Sequence, residues 1–355
     1  MLRGTTDLPL HYGSSPRWLF DRMKKLAKAL TEILILEYGK KTFLERLSDP
    51  YWFQCFACSL GFDWHSSGTT TVTLAALKEA LKESEFSQEL VVCGGKGKTS
   101  RKTPEEIREN AEKINLSDKK TEELVRASRL AAKVDNAALQ DGFSLYHHSF
   151  IFTSEGFWCI IQQGMNDRWA RRYHWLGKQD LDFVNEPHTG IISDTLVRPL
   201  NMVAKEAEEA RKASVELAKE KPFFLEKEVK KHRLVMQKEH YMQTKEIKIS
   251  RKILEKIYNS NPQNYEELLL VEGTGPTTIR ALALLSNLIY GTELSWRDPC
   301  KYAFAHGGKD GWPYPVNKKQ YDKSIEILQH AIKNAKIGNK ERLEALKRIK
   351  HFISW

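Results

Sequence analysis

The sequence predicts a mainly helical α+β protein, with a small β-hairpin or sheet in an N-terminal domain and an all-helical C-terminal domain. Three observations predict it. Apolar residues recur at helical spacing through most of the first 140 residues. A run rich in β-branched and aromatic residues, SLYHHSFIFT and FWCIIQQG, breaks that pattern over 144–163, with Ser154-Glu155-Gly156 between its halves, which is a hairpin signal. Helical spacing then returns from about residue 250 to the end. At about 150 residues per domain, a chain of 355 residues accommodates two or three domains. We divide it into 1–192, an α+β domain; 193–249, a charged helical connector; and 250–355, a helical domain.

Along the first block, Pro16 opens the helical stretch RWLFDRMKKLAKALTEILILEYG, and Gly39 stops it. Ser48-Asp49-Pro50 starts a second helix, YWFQCFACSLGF, and TLAALKEALKES forms a third. ELVVCGGKGKTS reads as a short strand entering a glycine-rich turn. Thr103-Pro104-Glu105-Glu106 supplies a cap, an N1 proline and two first-turn acids for the next helix. NDRWARRYHWLG is basic and aromatic. KEAEEARKASVELAKEKP interleaves both charge signs and has few large apolar residues, as a solvated helix does.

With 41% hydrophobic and 29% charged residues the chain buries a real core, which excludes a wholly disordered protein. No stretch approaches the ~20 apolar residues of a membrane span, and MLRGTTDLPLHYG lacks the pattern of a secretory signal. We therefore expect a cytoplasmic protein without a membrane partner. Lys and Arg number 56 against 46 Asp and Glu, a net charge of +10, which favours a polyanionic partner, DNA above all. The five cysteines include one C-x-x-C, Cys55 and Cys58, with no second ligand pair, so we read two buried thiols on a helix.

The most specific motif is LLLVEGTGPTT, residues 268–278. It resembles the helix-hairpin-helix of DNA repair and recombination proteins, although Thr274 stands where an aliphatic residue is usual. Gly273 and Gly275 permit a tight turn, and the following helix begins with free N–H groups that suit phosphates of any base sequence. Thr274, Thr277 and Arg280 complete this candidate DNA-binding set, together with Lys96 and Lys98 of the glycine-rich turn and Lys309 in the aromatic loop KYAFAHGGKDGWPYP. Gly94–Thr99 is not a nucleotide-binding P-loop, because the required first glycine would fall at Val92.

Candidate chemistry lies around the predicted hairpin. His147 and His148 point to opposite faces of a strand. With Arg171, Arg172, Glu186 and His188 they form the candidate catalytic set, of which His147 or His148, Arg171 or Arg172, Glu186 and His188 are expected to line one cleft with the DWHSSGTTT turn. Asp63, His65 and Asp141 are the candidate metal ligands, for Mg or Mn, because acids and imidazoles beside arginines suit metal-assisted phosphodiester cleavage. In helix-hairpin-helix DNA glycosylases a catalytic Asp follows the hairpin by some twenty residues. Asp298 falls there, while Thr277 occupies the place of the lysine used by bifunctional members.

Together LPLHYGSSPRWL, DWHSSGTTT, GGKGKTS, LYHHSFIF, IIQQGM, ARRYHWL and SWRDPCKYAFAHGGKDGWPYPV resemble the archaeal and bacterial family catalogued as domain of unknown function number 763. The resemblance implies a prokaryotic, often thermophilic, intracellular protein with a helix-hairpin-helix-like C-terminal part, and it carries over no catalytic residue. The expected function is DNA binding in repair or recombination, with metal-dependent nuclease activity as the chemistry to look for. A monofunctional DNA glycosylase and a non-catalytic DNA-binding adaptor are the competing classes.

Overall fold

The computed structural model of the protein describes residues 16–61, 67–167, 169–193, 196–235, 250–300, 318–335 and 338–353. It is mainly helical α+β, as the sequence predicts. The strands are β1 (Leu90–Lys96), β2 (Leu139–Gln140), β3 (Ser144–Thr153), β4 (Trp158–Met165), β5 (Ala170–Leu176), β6 (Gly190–Ile192) and β7 (Leu200–Asn201). Five of them form one antiparallel sheet in the order β1–β3–β4–β5–β6, and β2 pairs with β7 separately. The predicted hairpin, β3–β4, is the centre of the sheet. The basic and aromatic stretch after it is β5, which the sequence pattern conceals because six consecutive residues, Ala170 to Trp175, are all buried. A strand covered on both faces loses the polar alternation that identifies a half-exposed one.

Helices cover both faces. On one side lie α1 (Arg17–Leu47, broken at Gly39), α2 (Pro50–Leu60) and α3 (Ser67–Lys82). On the other lie α4 (Thr103–Lys113), α5 (Asp118–Lys133) and α6 (Glu208–Ala218), followed by α7 (Pro222–Val235), α8 (Arg251–Ser260), α9 (Tyr265–Leu270) and α10 (Pro276–Tyr290). The chain closes with α11 (Lys318–Asn334) and α12 (Asn339–Ile353), which return to the first side. The core divides accordingly. Met23, Trp52, Leu77, Ile151 and Ile161 pack with Leu328 and Ile349. Phe150, Ile160 and Trp175 pack with Leu130, Leu254, Leu268 and Leu285. Helices from the C-terminal third thus complete the core on each face of the sheet.

Local signals act as their chemistry requires. Asp49 caps α2, accepting from the N–H groups of Tyr51 (2.8 Å) and Trp52 (3.1 Å). Asn264 caps α9 by accepting from Glu267 N–H at 2.9 Å. Thr103 does not cap α4: it lies within the helix and donates its hydroxyl to Ser100 O at 2.8 Å. The mixed-charge stretch expected to be solvated keeps Glu208, Glu209 and Lys212 in water but buries Ala210, Arg211, Val215 and Leu217. Arg211 donates to the carbonyls of Met202 (2.9 Å) and Ala204 (2.7 Å), so its charge lies along backbone dipoles rather than in solvent. Cys55 and Cys58 are buried free thiols on α2, and burial raises the Cys55 pKa. Among the described residues no helix is long and apolar enough to cross a membrane.

Candidate functional site

Strand register sorts the polar residues of the sheet. On one face His148 pairs across to Gln162 and Gln162 to Tyr173; on the other His147 pairs to Gln163 and Gln163 to Arg172. A bulge at Tyr146, between Leu145 and His147, precedes both rows. Period-two alternation therefore splits the candidate set: His148, Arg171 and His188 serve the face under α5, while His147 and Arg172 serve the face under α2 and α3. The expected cleft allowed for that split, but it does not assemble on either face: Glu186 pairs with Arg297, and Thr70 of the DWHSSGTTT stretch meets Arg172 on the face opposite His148 and His188.

Under α5 the polar groups make a continuous chain. Ser128 Oγ lies 2.8 Å from His148 Nε2, and His148 Nδ1 lies 2.8 Å from Gln162 Oε1. Gln162 Nε2 donates to Asp135 Oδ2 at 2.6 Å, which orients the amide so that its oxygen faces the imidazole. His148 must then carry its proton on Nδ1 and present the Nε2 lone pair to the Ser128 hydroxyl. Asp135 also accepts from Trp175 Nε1 (2.9 Å) and contacts His188 Nε2 (2.5 Å). It sits on a turn of π-helix, Val134–Ala138, that extends α5 and places Asp135 and Ser128 on one helix face. Burial lowers the His148 pKa, keeping the imidazole neutral.

Arg171 stands in the same layer but belongs to another knot. It reaches Asp141 at 3.1 Å and Asp298 at 3.0 and 2.8 Å, and its guanidinium lies 4.8 Å from the Phe143 ring centroid. Tyr173 donates to Asp141 at 2.7 Å. Asp298 further accepts from Val197 N–H and Cys300 N–H, each at 2.9 Å, so its acceptor positions are occupied. Burial raises the Asp141 pKa, against the lowering effect of Arg171 and the hydrogen bonds. Asp141 and Asp298 are thus structural counterions of a buried guanidinium, and neither carboxylate opens to the groove described next.

On the opposite face Arg172 lies 4.6 Å from the Phe53 ring centroid and donates to Thr70 Oγ1 and Gln54 Oε1, each at 3.3 Å. Gln163 bridges Thr70, Tyr146 and Ser67 O. His147 contacts Ser149 Oγ at 2.9 Å; burial and the charges of Lys96 and Lys78 push its pKa down to about 3.

A groove of about 740 Å³ opens above the Ser128–His148–Gln162 row. One bank is the 3₁₀ turn Gly97–Lys102, through Ser100 and Arg101; the other is the α9–α10 turn, through Leu270, Glu272 and Gly273. Arg129 and Lys133 of α5 line it as well, and Glu272, the acid among its lining residues, is paired with Lys256 at 2.9 Å. The turn is docked rather than free-standing: Lys133 donates to Thr274 O, and Gln140 donates to Pro276 O at 2.8 Å. Gly273 has φ +92°, a glycine conformation. Gly275, with φ −136°, is ordinary extended backbone, and a Cβ there would meet nothing nearer than Gly273 O at 4.0 Å.

The remaining candidates are dispersed. Thr277 is exposed at the start of α10, Thr274 is buried, and Arg280 faces inward to Gln140 (3.3 Å) and Trp296. Lys96 and Lys98 are exposed, Lys96 lying over the Tyr146 ring in a second groove shared with Lys78 and His147. Glu186 is exposed, with φ +47°, and pairs with Arg297 at 2.7 Å. Asp63, His65 and Lys309 lie outside the described residues. Among the described residues no three His, Cys, Asp or Glu side chains converge on a common point suited to a metal ion. The sequence reading missed Ser128 and Asp135. Their signal was two polar residues on the buried stripe of α5, seven positions apart, beside Leu124 and Ala131.

No curated relative and no solved structure shows a significant match to this chain. The sequence profile of a family described as protein of unknown function, DUF763, matches residues 4–316, most of the chain, and the protein belongs to that family.

Proposed function

We propose that the protein binds DNA in the groove between the α9–α10 turn and the 3₁₀ turn, gripping the phosphate backbone without reading bases, as a repair or recombination factor does. One observation carries this reading: a glycine turn between two helices faces Arg101 across a groove whose α5 wall bears Arg129 and Lys133. Glu272, the lining acid, is already neutralised by Lys256. The net charge of +10 supports it, as does the opening of α10, where first-turn N–H groups lie outside the helical ladder. Gly275 adds a further point: neither its backbone angles nor its surroundings require glycine, whereas a backbone that receives a phosphate benefits from having no side chain there.

Fluorescence anisotropy with labelled DNA of unrelated sequences tests this reading. Log affinity should fall linearly with log salt, with similar slopes for all sequences of one structure. Replacing Arg101, Arg129 and Lys133 by Ala together should reduce that slope by roughly 2 to 3, at about 0.9 for each phosphate no longer neutralised. A triple variant that stays folded and keeps the full slope would remove the groove from the binding site.

A further inference from the structure

We infer that Ser128 is a nucleophile, with His148 as its general base and Gln162 and Asp135 as positioning residues, and that its substrate is a phosphodiester. The identity of the substrate rests on the DNA-binding reading; the activated serine does not. The geometry is that of a nucleophile, a base and an orienting chain: Ser128 Oγ to His148 Nε2 at 2.8 Å, His148 Nδ1 to Gln162 Oε1 at 2.8 Å, and Gln162 Nε2 to Asp135 Oδ2 at 2.6 Å. Asp135 holds Gln162 in the one amide orientation that places the imidazole proton on Nδ1, leaving Nε2 to take the serine proton. Ser128, His148 and Gln162 all lie at the floor of the groove, and Ser128 is 2% exposed, so a substrate must seat against that floor to meet its hydroxyl. A buried polar chain serving stability alone has no need to end beneath a groove lined by three cations.

Those cations also select among electrophiles. Attack on a phosphodiester develops additional negative charge on the non-bridging oxygens, and Arg101, Arg129 and Lys133 line the space where it would develop. In the first step Ser128 Oγ bonds to phosphorus, its proton passes to His148 Nε2, and the bond from phosphorus to one deoxyribose oxygen breaks. That oxygen leaves with the proton from His148. In the second step a water molecule attacks the phosphoserine diester and gives a proton to His148, and the Ser128 oxygen leaves and recovers that proton. The sum is hydrolysis of one phosphodiester by one water, with the side chains restored.

The test uses the full-length protein and diisopropyl fluorophosphate, a small reagent that phosphorylates activated serines, with the adduct located by mass spectrometry. The expected result is an adduct on Ser128, absent in Ser128→Ala and formed roughly 100-fold more slowly in His148→Gln, the loss expected when a general base is removed. Asp135→Asn should move the pH profile of labelling, which a purely structural acid would not do; the other titratable or charged groups around His148 are His188 on Asp135, His147 on the same strand, and Arg101, Arg129, Lys133 and Glu272 around the groove. His148→Gln and Ser128→Ala both keep side-chain volume close to native, and circular dichroism verifies their fold. No adduct on Ser128 in folded wild-type protein would overturn the inference, as would labelling indifferent to His148. A second arm mixes the protein with end-labelled DNA and asks for a denaturation-resistant protein–DNA adduct or strand breaks that vanish in Ser128→Ala. DNA bound but neither captured nor cut by labelling-competent protein overturns the phosphodiester assignment. Labelling of Ser128 without any DNA affinity instead sinks the binding reading and leaves the nucleophile standing.

Discussion

Arg171 on β5 and Asp298, 127 residues later and beyond the end of α10, hold each other through two parallel hydrogen bonds of 3.0 and 2.8 Å inside the protein. The pair fastens the segment after the α9–α10 hairpin to the central sheet. Bidentate geometry suits a planar guanidinium, and Asp141 and the Phe143 ring complete its surroundings.

Removing one partner should therefore be costly. Asp298→Ala leaves a buried guanidinium short of a counterion and should destabilise the fold by roughly 3–5 kcal/mol. Urea unfolding of the purified variant checks this; a loss below about 1 kcal/mol, the range of an exposed ion pair, would show that the pair does not anchor the segment.

Acid should weaken the protein through its buried imidazoles. Burial lowers the pKa of His147, to about 3, and of His148 and His174, the last also through Arg172. Below the ordinary histidine value of 6.5 the unfolded chain binds protons that these folded sites refuse. Their contribution is thus complete above 6.5 and shrinks as pH falls towards the folded values. The slope approaches about 1.4 kcal/mol per pH unit for each histidine. Groups opposing protonation of His147 include Lys96, Lys78 and His148. His147→Asn should flatten the stability profile between pH 6 and 4; an unchanged profile would count against this source of acid sensitivity.

Two glycines should respond oppositely to alanine. At Gly94, φ is +84° and a Cβ would lie 2.2 Å from His148 O, so Gly94→Ala must push β1 away from β3. At Gly275 a Cβ meets nothing nearer than 4.0 Å and the backbone is extended, so Gly275→Ala should leave the thermal midpoint unchanged. Differential scanning fluorimetry of the two variants decides between them; equal effects would refute the contrast.

Hairpin chemistry makes the companion prediction for binding. Gly275→Val should weaken DNA affinity at moderate salt several-fold or more while the fold persists, because a branched side chain blocks close approach of a phosphate to the backbone. Gly273→Ala should cost stability of about 1 kcal/mol as well, from its positive φ. Unchanged affinity in folded Gly275→Val would take the turn out of the interface.

The amino-acid sequence by itself determined the elements whose signals are local. The cap and proline at Asp49-Pro50, the hairpin around Ser154-Glu155-Gly156, the helix–turn–helix at 265–290 and the buried thiols Cys55 and Cys58 each follow from the residues themselves. The opposed faces of His147 and His148 follow from strand parity alone. The partners did not follow. Which helix covers which face depends on contacts between elements distant in the chain, as where α11 and α12 return to α2, and β5 hides its strand character because both its faces are buried. Tertiary packing alone placed Arg171 between Asp141 and Asp298 and joined Ser128 and Asp135 to the His148–Gln162 pair. It also brought the α9–α10 turn to the groove above them. A buried arginine or serine gives a sequence no period to read; its role is set by the low-dielectric surroundings and the partners that the completed fold brings within hydrogen-bonding distance.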